Sequence, residues 1–190
     1  MTSKTGKKII QATLALIQEK GFKATTTRMI AERAGVNEVT LFRHFGNKKG
    51  IVEAAVVQES ETSFDKLQEK LEGHLERDLM TLGESILNYL FDKKDQISIA
   101  LKEPSIFLGV MDQIVSNRER LKKIITDYFT DMKNRQQITD INCDVQAEIF
   151  LLMIMGYFLN MIKFGEQVTA IDRSTFLQHS VTTFIQGIGR

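Results

Sequence analysis

Residues 26–45 read TTRMIAERAGVNEVTLFRHF, and no stretch restricts the fold more. Two short helix patterns flank Gly35-Val36-Asn37. Ile30, Ala31 and Ala34 form one apolar stripe, and Leu41 and Phe45, four apart, form another. Ala31 and Ala34 are small enough for a crossing helix to approach closely. Gly35 can take the left-handed conformation that a tight turn demands. Val36 would plug the angle between the helices. This is the pattern of a helix-turn-helix, whose second helix can enter the DNA major groove. Enzymes also build αα-hairpins with Gly at the turn, so the pattern alone leaves that reading open.

The remainder reads as helix nearly throughout, without the alternating Val, Ile and Thr runs that mark strands. Helices are predicted near residues 5–20, 27–34, 38–45, 48–72, 76–92, 95–102, 105–116, 118–134, 144–163 and 173–188. Gly21 is predicted to end the first. Thr27, Asn37, Asn47, Asp144 and Asp172 are predicted N-caps. Pro104, the only Pro among 190 residues, should mark a joint between two helices. The single Cys143 allows no intrachain disulfide and fits a reducing cytosol. The N-terminal apolar positions recur at helical spacing, so an amphipathic helix is expected ahead of a signal peptide. The uncharged run from Ile149 to Ile162 is shorter than the roughly 18 residues of a membrane span. A cytoplasmic protein without a membrane partner is the expectation.

Charge is divided unevenly. The net charge is +1, yet residues 1–50 hold ten Lys or Arg against three acids, a net +7. The other residues hold 15 basic and 21 acidic side chains, a net −6. A basic start on an acidic remainder suggests an anionic partner for the start, although a solvated basic face explains the charge equally well.

With these residues in view, the chain resembles the TetR family of bacterial transcriptional repressors. The likeness rests on Gly21-Phe22, Thr25-Thr26-Thr27, Ile30-Ala31, Ala34-Gly35-Val36, Thr40-Leu41-Phe42, His44-Phe45 and Asn47-Lys48, within residues 9 to about 52. It implies an all-α fold: a three-helix helix-turn-helix DNA-binding domain over 1–47, then a helical ligand-binding and dimerisation domain over 48–190. It implies a sequence-specific regulator, a repressor released by a small apolar or amphipathic ligand. It also implies a homodimer on a pseudo-palindromic double-stranded operator.

The resemblance directs Thr26, Thr27, Asn37, Glu38, Val39, Thr40, Phe42 and Arg43 toward DNA, with Arg28, His44 and Lys48. Thr27, His44 and Lys48 suit phosphates. Arg43 and Arg28 could bond guanine, and Val39 and Thr40 could meet a thymine methyl. Glu38 could accept from cytosine or simply favour the helix dipole. Arg33 should be solvated or paired with Glu32 or Glu38. Position 42 is usually Tyr in the family; Phe42 here removes a phosphate-reaching hydroxyl.

In the remainder, Met and aromatic residues suit an adaptable apolar pocket, or plain core filling. Met80, Phe107, Met111, Met153 and Tyr157 are the candidate lining, with Tyr157 and Asn160 as polar anchors. The last two helices are too apolar for one core face. Phe150, Phe158, Phe176, Val181, Phe184 and Ile188 are the candidate dimer contacts. No cofactor or metal is expected. Asp140, Asp144 and Glu148 suit a helix face or cap better than a metal site. No GxSxG, HExxH or Gly-rich phosphate loop supports an enzyme. Two alternatives remain: a constitutive helix-turn-helix protein without an inducer, and a helical carrier or enzyme with a vestigial head.

Overall fold

Short polar caps divide the start of the chain into helices. In the computed structural model, which describes residues 3–57, 64, 66–168 and 170–189, Ser3 accepts from the Gly6 amide to begin α1 (Lys4–Lys20). Thr26 accepts from Met29 N–H at 3.2 Å and begins α2 (Thr27–Ala34). Gly35, at φ 66°, is left-handed and ends it. Asn37 then caps α3 (Glu38–Phe45) through Val39 N–H at 2.8 Å. Asn47 accepts from Gly50 N–H at 2.8 Å at the start of α4 (Lys48–Val57). Each cap satisfies an amide that a helix end leaves without a partner. The cap expected at Thr27 lies one residue earlier, because Thr26 keeps extended backbone angles while Thr27 is already helical.

The chain forms two compact units, neither continuous in sequence: 1–60 with 93–115, and 61–92 with 116–190. The division expected after residue 47 separates the motif from the rest. By packing, unit one also takes in α4, α6 (Lys94–Lys102) and the start of α7 (Pro104–Asn134). One of its cores joins Ile9, Ile10, Leu16, Ile30, Leu41, Ile51 and Ala55. A second joins Ile17, Val52, Ile99, Ala100, Ile106 and Val110, so α1, α4, α6 and α7 share it.

Unit two contains a 3-10 turn (Gln68–Lys70), α5 (Leu75–Asp92), the rest of α7, α8 (Cys143–Phe164), a second 3-10 turn (Gly165–Gln167) and α9 (Arg173–Ile188). Its core is aromatic. Phe91 meets Phe158 edge-on at 5.3 Å, and Phe184 packs on both Phe129 and Phe150. Asp78 is its buried polar centre. The carboxylate accepts from the amides of Glu72, Gly73 and His74 and from the Tyr128 hydroxyl at 2.7–2.9 Å. Those four donors offset the cost of burying a charge and tie the entry of α5 to α7. Among the described residues, β-structure amounts to one bridge, Ile138 to Gly189.

Most predicted helix boundaries match within a residue. Three further expectations need correction. The helix expected over 48–72 is α-helical to Val57; residues 58–63 and 65 lie outside the described set, and 66–72 hold a turn and a 3-10 segment. The two helices expected over 105–134 are one helix of 31 residues, starting at Pro104. Ser116 and Asn117 are weak helix formers, and the helix runs through them without a break. The cap of α8 is Asn142, which accepts from Val145 N–H, rather than Asp144. Asp144 instead pairs with Lys122, Glu148 with Arg118 and Asp140 with Lys133, so each carboxylate of that spacing meets its own cation on α7.

Candidate nucleic-acid interface

The helix-turn-helix begins in the turn between α1 and α2. The Thr25 hydroxyl donates to the Gly21 carbonyl at 2.9 Å and closes that turn. Thr26 caps α2. The Thr27 hydroxyl donates to the Glu38 carboxylate, which links the start of α2 to the start of α3. Glu38 is therefore turned toward protein, and a cytosine contact would break that link. Leu41 points inward and is fully buried, which anchors α3 on its apolar side. The opposite side carries Val39, 72% exposed, and Phe42, 47% exposed, with Arg43 and His44 also exposed; Thr40 is half-buried. Exposed apolar side chains beside an exposed guanidinium suit base edges, where thymine methyls and guanine acceptors lie side by side.

The Arg residues divide by partner. Arg28 meets Glu32 at 3.2 Å with both side chains largely exposed, a pair that is easily exchanged for another anion. Arg43 and His44 are exposed at the end of α3. Arg33 is exposed, as one expectation had it, and its Nη1 donates to both carboxylate oxygens of Glu19 of α1 at 2.7 and 2.8 Å rather than to Glu32 or Glu38. A partner fourteen residues away on another helix is not visible in helical spacing. Lys48, a phosphate candidate, also has protein partners: its ammonium donates to the main-chain carbonyls of Phe22 and Thr25 and lies 4.2 Å from the Phe22 ring centre. Burial pulls its pKa below the usual lysine value, and the nearby Glu103 carboxylate acts in the opposite direction.

The six ligand candidates fall into both units. Phe107 and Met111 belong to unit one, and Met80, Met153, Tyr157 and Asn160 to unit two. Tyr157 is buried, stacks on Phe176 at 4.1 Å and donates to the Ile171 carbonyl at 3.2 Å. Asn160 is exposed and donates to the Gly156 carbonyl one turn back. Sequence reasoning missed a cleft of about 240 Å³ in unit two, lined in part by Leu71, Glu72, Tyr128, Asp131 and Arg135. Its polar residues come from two segments far apart in the chain, with no shared motif.

Four of the six dimer candidates are core residues of unit two, and the other two are half-buried. Phe150, Phe158, Val181 and Ile188 are buried within unit two, and Phe176 and Phe184 stack on its aromatic residues. α8 is apolar on nearly all sides, so periodicity could not say which side faces the core. The largest rings took the inside. Val145, Ile149, Leu152, Met155 and Leu159 remain exposed, spaced four, three, three and four apart along one stripe. With the turn that follows it, α8 is long and apolar enough to cross a membrane by length and composition, at mean hydropathy 1.7. Its inward face instead carries core residues, including Phe150, Ile154 and Phe158.

The helix-turn-helix geometry coincides with a family match. Residues 9–55 match the family of bacterial regulatory proteins named after tetR. Over 184 residues the chain is 36% identical to YvkB of Bacillus subtilis, an uncharacterised HTH-type transcriptional regulator, covering 97% of each protein. The chain belongs to the TetR family of bacterial transcriptional regulators. Two solved TetR-like folds extend the likeness to the whole chain. NalD of Pseudomonas aeruginosa, the secondary repressor of the MexAB-OprM multidrug efflux pump, superposes with a TM-score of 0.77 at 19% identity, covering 100% of this chain and 99% of its own. A transcriptional regulator from Saccharomonospora viridis in complex with choline superposes with a TM-score of 0.75 at 19% identity, covering 97% of each. Membership agrees with the sequence reading of an all-α transcriptional regulator with an N-terminal helix-turn-helix.

Proposed function

We propose that this TetR-family member is a dimeric repressor. Its α3 reads one half of a pseudo-palindromic operator, and a small apolar or amphipathic molecule bound in the second unit releases it. One observation carries the reading: α3 buries Leu41 and turns Val39, Phe42 and Arg43 outward, on a segment of net charge +7. The charge would draw phosphate, and the outward side chains would choose the sequence. Thr26, Thr27, Asn37, Thr40 and His44 would border the backbone contacts. Arg28 would exchange Glu32 for a phosphate or a guanine.

Support for a dimer comes from the exposed stripe on α8. Five apolar side chains on one face, bordered by the ion pairs Arg118–Glu148 and Lys122–Asp144, have the apolar centre and polar rim of a subunit interface. A two-fold pair of such faces would place two α3 helices on one operator. The half-buried Met80 and Met153 are the unit-two candidates for an apolar ligand. That NalD is a repressor and that the S. viridis regulator holds choline supports a ligand-released repressor here as well. The packing of Val52 on α4 with Ile99 and Ala100 on α6 offers a path from a shift of α6 to the DNA-reading helices. Such a switch works only if the ligand prefers the released state.

Footprinting on the DNA upstream of its own coding sequence tests the proposal. Two protected half-sites one helical turn apart, about 34–36 Å centre to centre, are the expected result. Uniform or absent protection contradicts it.

A further inference from the structure

Two glycines lie well inside helices of unit two, and they meet different surroundings. Gly83 is in α5, where a Cβ would lie 2.3 Å from a methyl of Leu177 on α9. Its missing side chain lets those two helices approach closely. Gly156 is in α8 and exposed, and a Cβ there would meet nothing within 4 Å. Glycine in a helix interior costs about fivefold in the folding equilibrium relative to alanine. Within one protomer, no close approach offsets that cost at Gly156.

The place of Gly156 on the helix supplies a reason. Ile149, Leu152, Gly156 and Leu159 follow one another three, four and three residues apart, so they lie along one exposed strip of α8. A second helix laid on that strip would come closest at the residue without a side chain. The surrounding charge selects the occupant. Residues 149–162 carry no Lys, Arg, Asp or Glu, and neither do residues 174–189, which hold most of α9. At one end of the strip the charges are already paired, Arg118 with Glu148 and Lys122 with Asp144. At the other end Lys163 lies over the Phe164 ring. A strongly charged partner would find little to match. A two-fold contact sets a face against itself, and a face of little net charge can meet itself without like-charge repulsion. The occupant that fits is a second copy of this chain. On a two-fold axis a residue meets its own copy. We infer that Gly156 lies at that axis, where α8 crosses α8 of the second copy with the two backbones in contact.

This inference rests on the dimer reading above, and the experiment separates the two. Full-length wild type and Gly156→Leu are compared by sedimentation. The dimer dissociation constant of Gly156→Leu should rise at least about thirtyfold, because two added side chains are forced into one close contact. Its helix content in circular dichroism should equal that of wild type, since the protomer leaves the space open. A Cys143→Ser chain carrying Gly156→Cys is then treated with a mild copper oxidant, beside a Cys143→Ser chain carrying Lys123→Cys at an exposed site of α7. The Gly156→Cys chain should form a covalent dimer, which needs Cα atoms within about 7 Å of each other, and the Lys123→Cys chain should not. An unchanged dissociation constant in Gly156→Leu overturns the inference and leaves the dimer standing. So does a Gly156→Cys chain that cross-links no better than the Lys123→Cys chain. A wild type that stays monomeric at micromolar concentration overturns the dimer reading, and the inference with it.

Discussion

The two units hold themselves together in different ways. Unit one is organised by short polar devices: a serine, threonine or asparagine at the starts of its first four helices, a left-handed glycine at the turn, and a lysine bound to carbonyls. Each device acts within a few residues or at one close approach, and together they leave one side of α3 free for another molecule. Unit two is organised by rings packed on rings and, at the entry of α5, by a buried carboxylate. Several of its contacts join segments fifty or more residues apart, as Asp78 does with Tyr128 and Phe91 with Phe158. A surface that must present side chains to DNA is held by backbone devices that keep those side chains free. A body that must bury area uses the side chains themselves.

The largest effects should test the body. Phe158→Ala removes a fully buried ring that meets Phe91, and should cost about 3–5 kcal/mol in denaturant unfolding. Leu152→Glu alters a side chain that is 57% exposed on the same helix and should change protomer stability by less than about 0.5 kcal/mol. It should nevertheless move the protein from dimer to monomer in sedimentation at micromolar concentration. If the two substitutions exchange these effects, the assignment of inward and outward faces on α8 is wrong.

Gly50→Ala tests the head. The added methyl forces the Phe45 carbonyl to move, and overpacking of this kind costs about 1–3 kcal/mol. Thermal melts should show the loss, and DNA affinity should fall with it. An unchanged melt would mean that the close approach of α4 to α3 is relaxed in solution.

The smallest effect concerns Tyr128. Burial, followed by its hydrogen bond to Asp78, pushes the phenol well above its ordinary pKa of 10.0. A raised folded pKa contributes stability that is complete below the unfolded value and is lost as pH rises above it. Above pH 10, wild type should therefore lose up to about 1.4 kcal/mol per pH unit from this group. Tyr128→Phe should lack that part of the alkaline loss, as read from denaturant midpoints between pH 9 and 11. Parallel curves would show that Tyr128 does not couple to folding.

The same contrast explains what could be read in the sequence. The bounds of α2 and α3, the caps at Asn37, Asn47 and Asp172, and the joint at Pro104 were legible, because each depends on residues within one turn of it. The family likeness in residues 9–52 rested on the same local signals. The partners of Arg33 and Lys48 were not legible, because Glu19 and the carbonyls of Phe22 and Thr25 come from other elements. The inward side of α8 was not legible either, since both its sides carry large apolar residues and only packing decides between them. Asp78 gave no signal as a lone acid in a helix; its role exists only where three amides and a phenol converge.

The central claim is that α3 chooses the DNA sequence while the basic charge of the head supplies general attraction. Titrating wild type and Arg43→Ala against the upstream DNA and against random DNA of equal length tests it most directly. Wild type should prefer the upstream DNA by at least about a thousandfold. Arg43→Ala should lose about 1–3 kcal/mol on the upstream DNA and far less on random DNA. Equal binding of both DNAs by wild type, or an equal loss on both from Arg43→Ala, would contradict the account.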